Sequence, residues 1–285
     1  MIAETIFREV VCTNSFRTID GTYLALSLCH RSSFSLFLCI SEKACAKNTP
    51  LVVTGRNLRA PGLFSLNFDN FEGGRLATQH LLDQGWNVAG GSRSGTDIEH
   101  ENFYDLELDV TDEVAVEEFY ATLRELTPKV HLFIQNAGIC EMSPASKSDA
   151  EFFGKHLATN TLGAFLMLKG LKPFLIDGET HIISILSAAA KFGYPDMTAY
   201  NASKFGQRGL LESLQREWKN HRLRFTPLYP GAIDTPLWGG LQADFSRERM
   251  LPVEDFLYVF DFVLNAPANI RLADLTFLHR DGFLE

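Results

Sequence analysis

From residue 50 to the C-terminus, short apolar runs alternate with longer stretches in which apolar side chains recur every three or four positions. The runs at 51–54, 86–91, 104–109, 130–135, 180–186, 223–229 and 274–279 read as strands, with helices in the intervals. His131–Gln135 and His181–Leu186 are largely apolar without strict alternation, the pattern of strands covered on both faces. Leu210, Leu214 and Trp218 fall on one face of a helix, and Thr111 followed by Asp112 and Glu113 reads as a cap with an acidic first turn. Regular strand-helix alternation predicts an α/β fold: a doubly wound parallel sheet (Rossmann fold) in a single domain, helices on both faces, with the last run as an edge strand.

Composition narrows the classes of function. The 285 residues are 46% hydrophobic, enough for one substantial core. A net charge of −9 without a basic run excludes a general nucleic-acid surface. Cys12, Cys29, Cys39 and Cys45 show no metal-ligand spacing and Cys140 has no neighbour in sequence, so no metal site is expected and a reduced, cytoplasmic setting is. The apolar stretch 22–40 is broken by His30, Arg31, Ser32 and Ser33, which argues against a membrane span. Residues 1–49 read as a poorly ordered N-terminal extension, a mis-assigned gene start or a targeting segment; Glu4 and Glu9 sit where a targeting segment would be basic.

The chemistry concentrates at Tyr200 and Lys204, four residues apart and therefore on one helix face, where an ammonium can favour the ionised form of a phenol. Ser187 lies thirteen residues before the tyrosine and Asn160 further back. In order along the chain, Thr54-Gly55, Asp109, Asn136-Ala137-Gly138 and Pro230-Gly231 each close an apolar run. With these motifs, residues 50–285 resemble the short-chain dehydrogenase/reductase family. The resemblance implies an NAD(P)-dependent oxidoreductase that interconverts a carbonyl and a secondary alcohol. It implies Tyr200 as acid and base, Lys204 lowering the tyrosine's pKa and binding the nicotinamide ribose, Ser187 donating to the substrate oxygen, and Asn160 holding a water. It further implies Asp109 and Val110 beside adenine, Asn136, Ala137 and Gly138 near the cofactor, and Pro230, Gly231, Ile233 and Thr235 over the nicotinamide and phosphates. A homodimer or homotetramer built through the helices bearing Asn160 and Tyr200 follows from the same likeness.

One part of the pattern is broken. Phosphate binding at the first helix N-terminus needs closely spaced glycines. Here Gly55 and Gly74 stand nineteen positions apart where the family has six, Glu72 occupies the middle glycine's place, and only Gly73 and Gly74 open the helix. Residues 56–72 are thus an atypical insertion: a tolerated excursion, a splicing or gene-model artefact, or an evolved loss of cofactor binding that would leave a catalytically impaired scaffold. After the second strand Arg93 stands where an acidic ribose ligand is expected, which favours NADP over NAD because a guanidinium can pair with the 2′-phosphate. Ile139, Cys140, Met142, Ala188, Ala189, Phe192, Tyr194, Leu237 and Trp238 are the expected pocket lining, apolar enough for a small carbonyl or alcohol substrate of little charge.

Overall fold

Apolar residues in the central strands sort by parity onto two cores, and that sorting sets the layers. In the computed structural model, residues 16–17, 23–24, 50–54, 78–79, 81–83, 85–93, 95–234 and 247–281 are described. The chain divides into two compact units, Met1–Asn48 and Thr49–Glu285. The described part of the first is a short antiparallel pair, β1 (Phe16–Arg17) and β2 (Tyr23–Leu24).

The second unit is built on a seven-stranded sheet. Its strands are β3 (Pro50–Thr54), β4 (Asn87–Ser92), β5 (Phe103–Glu107), β6 (Leu132–Gln135), β7 (His181–Ile185), β8 (Arg224–Pro230) and β9 (Leu275–Phe277). They lie in the order β5-β4-β3-β6-β7-β8-β9, every neighbouring pair parallel. The order reverses between β3 and β6, so their carboxyl ends open a crevice, and Thr54 sits in register with both Gly91 and Gln135 there. All seven strands read from the sequence are present, with β9 at an edge; β5 stops at Glu107, leaving Leu108 and Asp109 beyond it.

On one face Ala89, Phe133, Ile182 and Phe225 pack against α1 (Glu113–Leu126), α3 (Gly163–Leu171) and α4 (Thr198–Glu217). On the other, Val88, Leu132, Ile134, Ile183, Ile185 and Leu228 meet Leu81, Leu82 and α5 (Val253–Leu264). Successive side chains of a strand point to opposite faces, so near-continuous apolar runs are what two covered faces require. The cap of α1 differs from the sequence reading: Asp112, not Thr111, accepts from the Val114 N–H at 2.9 Å. Thr111 is taken up one residue earlier, donating from its backbone N–H and its hydroxyl to the Asp109 carboxylate.

Close approach of α1 and α3 depends on Gly170, where any Cβ would run into the Tyr120 ring, whose hydroxyl donates to Met167 O at 2.6 Å. By contrast, Gly154 of α2 (Ala150–His156) has open space around it. Gly170→Ala should therefore destabilise by about 1–3 kcal/mol through overpacking, whereas Gly154→Ala should be neutral or stabilising by up to about 1 kcal/mol. Urea melts of the two variants check the contrast; equal midpoints would refute it.

Candidate active site

Four elements converge where β6 and β7 end. The chain leaves β6 through Asn136-Ala137-Gly138-Ile139-Cys140, all buried, and leaves β7 through Ser187, whose extended backbone and hydroxyl cap the short turn Ala188–Ala190 by accepting from Ala189 N–H at 3.1 Å. The third is α4, which starts at Thr198 and buries Tyr200 and Lys204 on one face. The fourth is a six-residue π-helical segment, Leu157–Leu162, joining α2 to α3 and carrying Asn160. Gly163 N–H donates there to Ala158 O, five residues back, so one residue is absorbed in a wider turn, a feature common at functional sites.

These side chains form a connected set. Ser187 hydrogen-bonds the Tyr200 side chain. Lys204 Nζ lies 5.8 Å from the centre of the Tyr200 ring. Asn160 accepts from Ile139 N–H at 2.7 Å and donates to Ile139 O at 2.9 Å and Ser203 Oγ at 2.8 Å; Ser203 Oγ in turn donates to Tyr200 O at 2.7 Å. Both Asn160 donors are thus spent on protein, and a water could reach this amide only through the remaining lone pair of its oxygen. The sequence reading placed Asn160 as a water holder; in the structure it first clamps the β6 exit loop to α4.

Charge behaves differently from the simple tyrosine-lysine expectation. Burial pushes the Tyr200 phenol well above its ordinary value, Cys140 and Tyr194 adding to the rise and the Ser187 hydrogen bond opposing it. Burial likewise pulls Lys204 down to about 7, with the Cys140 thiol opposing. Desolvation penalises both charged forms and dominates for side chains only 3% and 1% exposed. The protein by itself therefore holds Tyr200 as a neutral acid. Cys140 is also pushed up, to about 12, chiefly by burial, which leaves a packing thiol and no thiolate nucleophile.

Cys140, Ala189, Met197 and Tyr200 form one buried apolar cluster, with Met142 and Tyr194 packed on it. Ala188 and Ile139 are buried beside these segments, while Phe192 is 39% exposed. On the cofactor side Arg93 Nη1 lies 4.0 Å from Asp109 Oδ2, both side chains partly exposed. Val110 packs against Gly163, and Gly231 N–H donates to Phe277 O at 2.9 Å, tying the exit of β8 to β9. Ile233 is buried and paired with Leu251. Gly55, Gly73, Gly74, Thr235, Leu237, Trp238 and the insertion 56–72 lie outside the described residues, as do the four N-terminal cysteines; of Thr54 the strand position is given. Among the described residues no cluster of His, Cys, Asp and Glu could hold a metal ion, and no helix is long and apolar enough to cross a membrane.

Two positioning residues escaped the sequence reading. Asn201 donates to Ala189 O at 2.9 Å and Phe192 O at 2.6 Å and accepts from Tyr194 N–H at 3.1 Å, stitching the segment after Ser187 to α4. His156 accepts from Glu141 N–H through Nε2 at 3.1 Å and bonds Phe152 O through Nδ1 at 2.9 Å; burial lowers its pKa, as this neutral, two-sided role requires. A polar residue next to Tyr200 inside a helix was the available signal for Asn201; nothing local marks His156.

The chain matches a family model described as short chain dehydrogenase over residues 74–245, a stretch that begins after the insertion. It is 29% identical over 169 residues to 3-amino-tetrahydro-pyrrolizinone reductase of Xenorhabdus hominickii, covering 58% of this chain and 59% of that one. It is 27% identical over 192 residues to D-threitol dehydrogenase of Mycolicibacterium smegmatis, covering 66% and 72%. The chain thus spans about three fifths of the length of the first relative. Among solved structures, an alcohol dehydrogenase from the archaeon Thermococcus sibiricus, complexed with 5-hydroxy-NADP, superposes with a TM-score of 0.66 at 22% identity, covering 83% of this chain and 99% of that one. The 3-ketoacyl-(acyl-carrier-protein) reductase from Brucella melitensis, complexed with NADH, gives 0.68 at 20% identity, covering 83% and 99%.

Asn201→Ala should cost about 2–3 kcal/mol, because three hydrogen bonds are lost and two carbonyls lose a donor. Amide exchange at Tyr194 should accelerate; an unchanged Tyr194 rate would remove Asn201 from this role.

Proposed function

This chain belongs to the short-chain dehydrogenase family, and within that family we propose that it is an NADP-dependent oxidoreductase that interconverts a small, weakly polar carbonyl compound and its secondary alcohol. The observation that carries the reading is the set of buried Tyr200, Lys204 and Asn160 with half-buried Ser187, Asn160 tied to Tyr200 through Ser203, gathered at the carboxyl ends of parallel strands. Separate in sequence, these residues are together useful for moving a proton beside a hydride.

The site's chemistry fits a dinucleotide. Ser92 Oγ, at the end of β4, is buried and has no hydrogen-bond partner among the described residues, and Arg93 follows it beside Asp109. A free hydroxyl and a half-exposed guanidinium at a strand's carboxyl end are donors suited to an adenosine ribose and its 2′-phosphate. Thr54, Asn136, Ala137, Gly138, Val110, Pro230, Gly231 and Ile233 lie along the same edge of the sheet or its exits. When bound, the nicotinamide supplies or accepts the hydride.

The residues then divide the work. As a neutral acid, Tyr200 is poised to give its proton to the carbonyl oxygen in reduction. Ser187, already bonded to Tyr200, can donate to the same oxygen. The ammonium of Lys204 stabilises the phenolate left behind and, as a three-donor group, is the residue suited to hold a ribose hydroxyl. In oxidation the phenol must first ionise against its burial, so that direction depends on added positive charge near Lys204. The apolar cluster of Cys140, Met142, Ala189, Tyr194 and Met197 favours a substrate of little charge.

Assembly through the helices bearing Asn160 and Tyr200 is part of the reading. Leu157, Leu162, Phe165 and Phe205 leave large apolar surface exposed on these helices. Changing Phe165 and Phe205 together to Glu should convert a homo-oligomer to monomers in sedimentation velocity; an oligomer of unaltered size would place the contact elsewhere.

NADPH should bind with micromolar affinity in a nicotinamide-fluorescence titration, and Arg93→Ala should weaken it about 10- to 100-fold with NADH affinity nearly unchanged. Tyr200→Phe should lower turnover about 10²- to 10⁴-fold while leaving NADPH affinity intact. Failure of both cofactors to bind would overturn the proposal, and undiminished turnover of Tyr200→Phe would remove Tyr200 from its role.

A further inference from the structure

Behind the tyrosine-lysine pair runs a buried polar chain. Lys204 Nζ donates to Gln207 Oε1 at 3.1 Å, Gln207 Nε2 donates to Gln135 Oε1 at 2.6 Å, and Gln135 Nε2 makes a long bond of 3.5 Å to Ala137 O. Gln207 and Gln135 are completely buried. Every donor in the chain points away from the ammonium, and the order fixes both amides: turning Gln207 over would aim its NH₂ at Lys204 and leave two donors facing each other. Gln207 lies one helical turn after Lys204 on the inner face of α4, whereas Gln135 ends β6, beside the cofactor-facing segment Asn136-Ala137-Gly138.

A buried ammonium is costly unless acceptors replace its water. Besides Gln207, groups that act on Lys204 include Tyr200 from its own helix and the Cys140 thiol from the β6 exit loop, with Tyr194 acting on Tyr200. The thiol is neutral over the working range, so the amide oxygen of Gln207 is a fixed, uncharged acceptor that favours the charged form of the amine. Gln135 in turn prevents that amide from rotating.

We propose that Gln207, braced by Gln135, is a positioning residue for Lys204: it aims the ammonium and favours its charged form against burial, so that the phenolate of Tyr200 has its counter-charge. The functional weight of this device rests on the oxidoreductase reading; its physical content does not. It also ties the state of Lys204 to the Asn136-Ala137-Gly138 segment, because displacement of that segment would move Gln135 and release Gln207.

The test is an NMR titration of Lys204 in the full chain labelled with ¹³Cε and ¹⁵Nζ lysine, its signal assigned by loss in Lys204→Arg. No cofactor or substrate is needed, so the result stands apart from whether the chain reduces anything. In the unsubstituted protein the midpoint should fall at about 7. Gln207→Met keeps the length but removes the acceptor, and the midpoint should drop by about one pH unit, the size of one hydrogen bond to a charged group. Gln207→Glu puts a carboxylate in the same place and should raise it by at least as much. Gln135→Met leaves the Lys204–Gln207 bond but frees the amide, and should lower the midpoint by a smaller amount; this variant decides the matter if substitution at 207 prevents folding. In NADPH-dependent reduction of an aromatic diketone, the alkaline limb of kcat should move in the same order. Coincident midpoints in the folded variants, even with altered melting temperatures, would show a packing role alone and overturn the proposal.

Discussion

An ammonium held almost wholly out of water is the constraint around which this site is arranged. Lys204 is 1% exposed and lies beside a phenol that is itself buried. Burial opposes charge on both groups, so the protein must provide fixed dipoles where solvent would have been. Gln207 supplies one, Ser187 bonds the phenol, and the Cys140 thiol lies close enough to influence both. The same desolvation that makes the ammonium costly strengthens its field at the Tyr200 oxygen. Stability and chemistry are thus set by one balance.

Such a balance requires that the supporting elements stay where they are. Asn160 serves as a three-way clamp, gripping both backbone polar groups of Ile139 and reaching Ser203 on α4. The π-helical turn at Leu157–Leu162 brings it there. Beside Asn160, Thr161 Oγ1 donates to Ser203 O at 2.9 Å, and Asn201 ties the segment after Ser187 to the helix. The bonds of Asn160 and Thr161 to Ser203 join the β6–β7 crossover to α4, while those of Asn160 to Ile139 and of Asn201 fasten each crossover to itself, so the site is held by a polar net over a scaffold of apolar packing. The scaffold is stiff because β4, β6, β7 and β8 are packed on both faces.

The cofactor edge and the substrate edge are built on different principles. At the cofactor edge, backbone exits and sparse donors such as Ser92 and Arg93 follow from the parallel sheet itself, whose strand ends gather at the reversal of strand order. At the proposed substrate edge, the apolar cluster around Tyr200 depends on side chains and not on strand ends. Cys140, Met142 and Met197 are adaptable, polarisable side chains that tolerate changes of shape.

How much was legible in the sequence depends on how local each signal is. The central strands such as β6 and β7 were readable because a strand covered on two faces writes its burial into consecutive residues, and the order of motifs pointed to Tyr200, Lys204, Ser187 and Asn160 because each closes or opens a recognisable element. The cap of α1 was misplaced by one residue, since Thr111 and Asp112 are equivalent as caps until Asp109 claims the threonine. The ionisation of Tyr200 in the protein alone was not readable: spacing reveals the neighbouring lysine but not the depth at which both lie, and burial raises the phenol until positive charge is added beside it. Gln135 and Gln207 stand 72 positions apart, and His156 and Glu141 fifteen; no periodicity connects such pairs. The sequence by itself therefore determined the layered α/β architecture and singled out Tyr200, Lys204, Ser187 and Asn160 as the candidate reacting set, because hydrophobic period and motif order are local. Only the tertiary structure decided which polar groups hold those side chains and how burial shifts their charge, because desolvation and hydrogen-bond partnership exist only between segments brought together by folding.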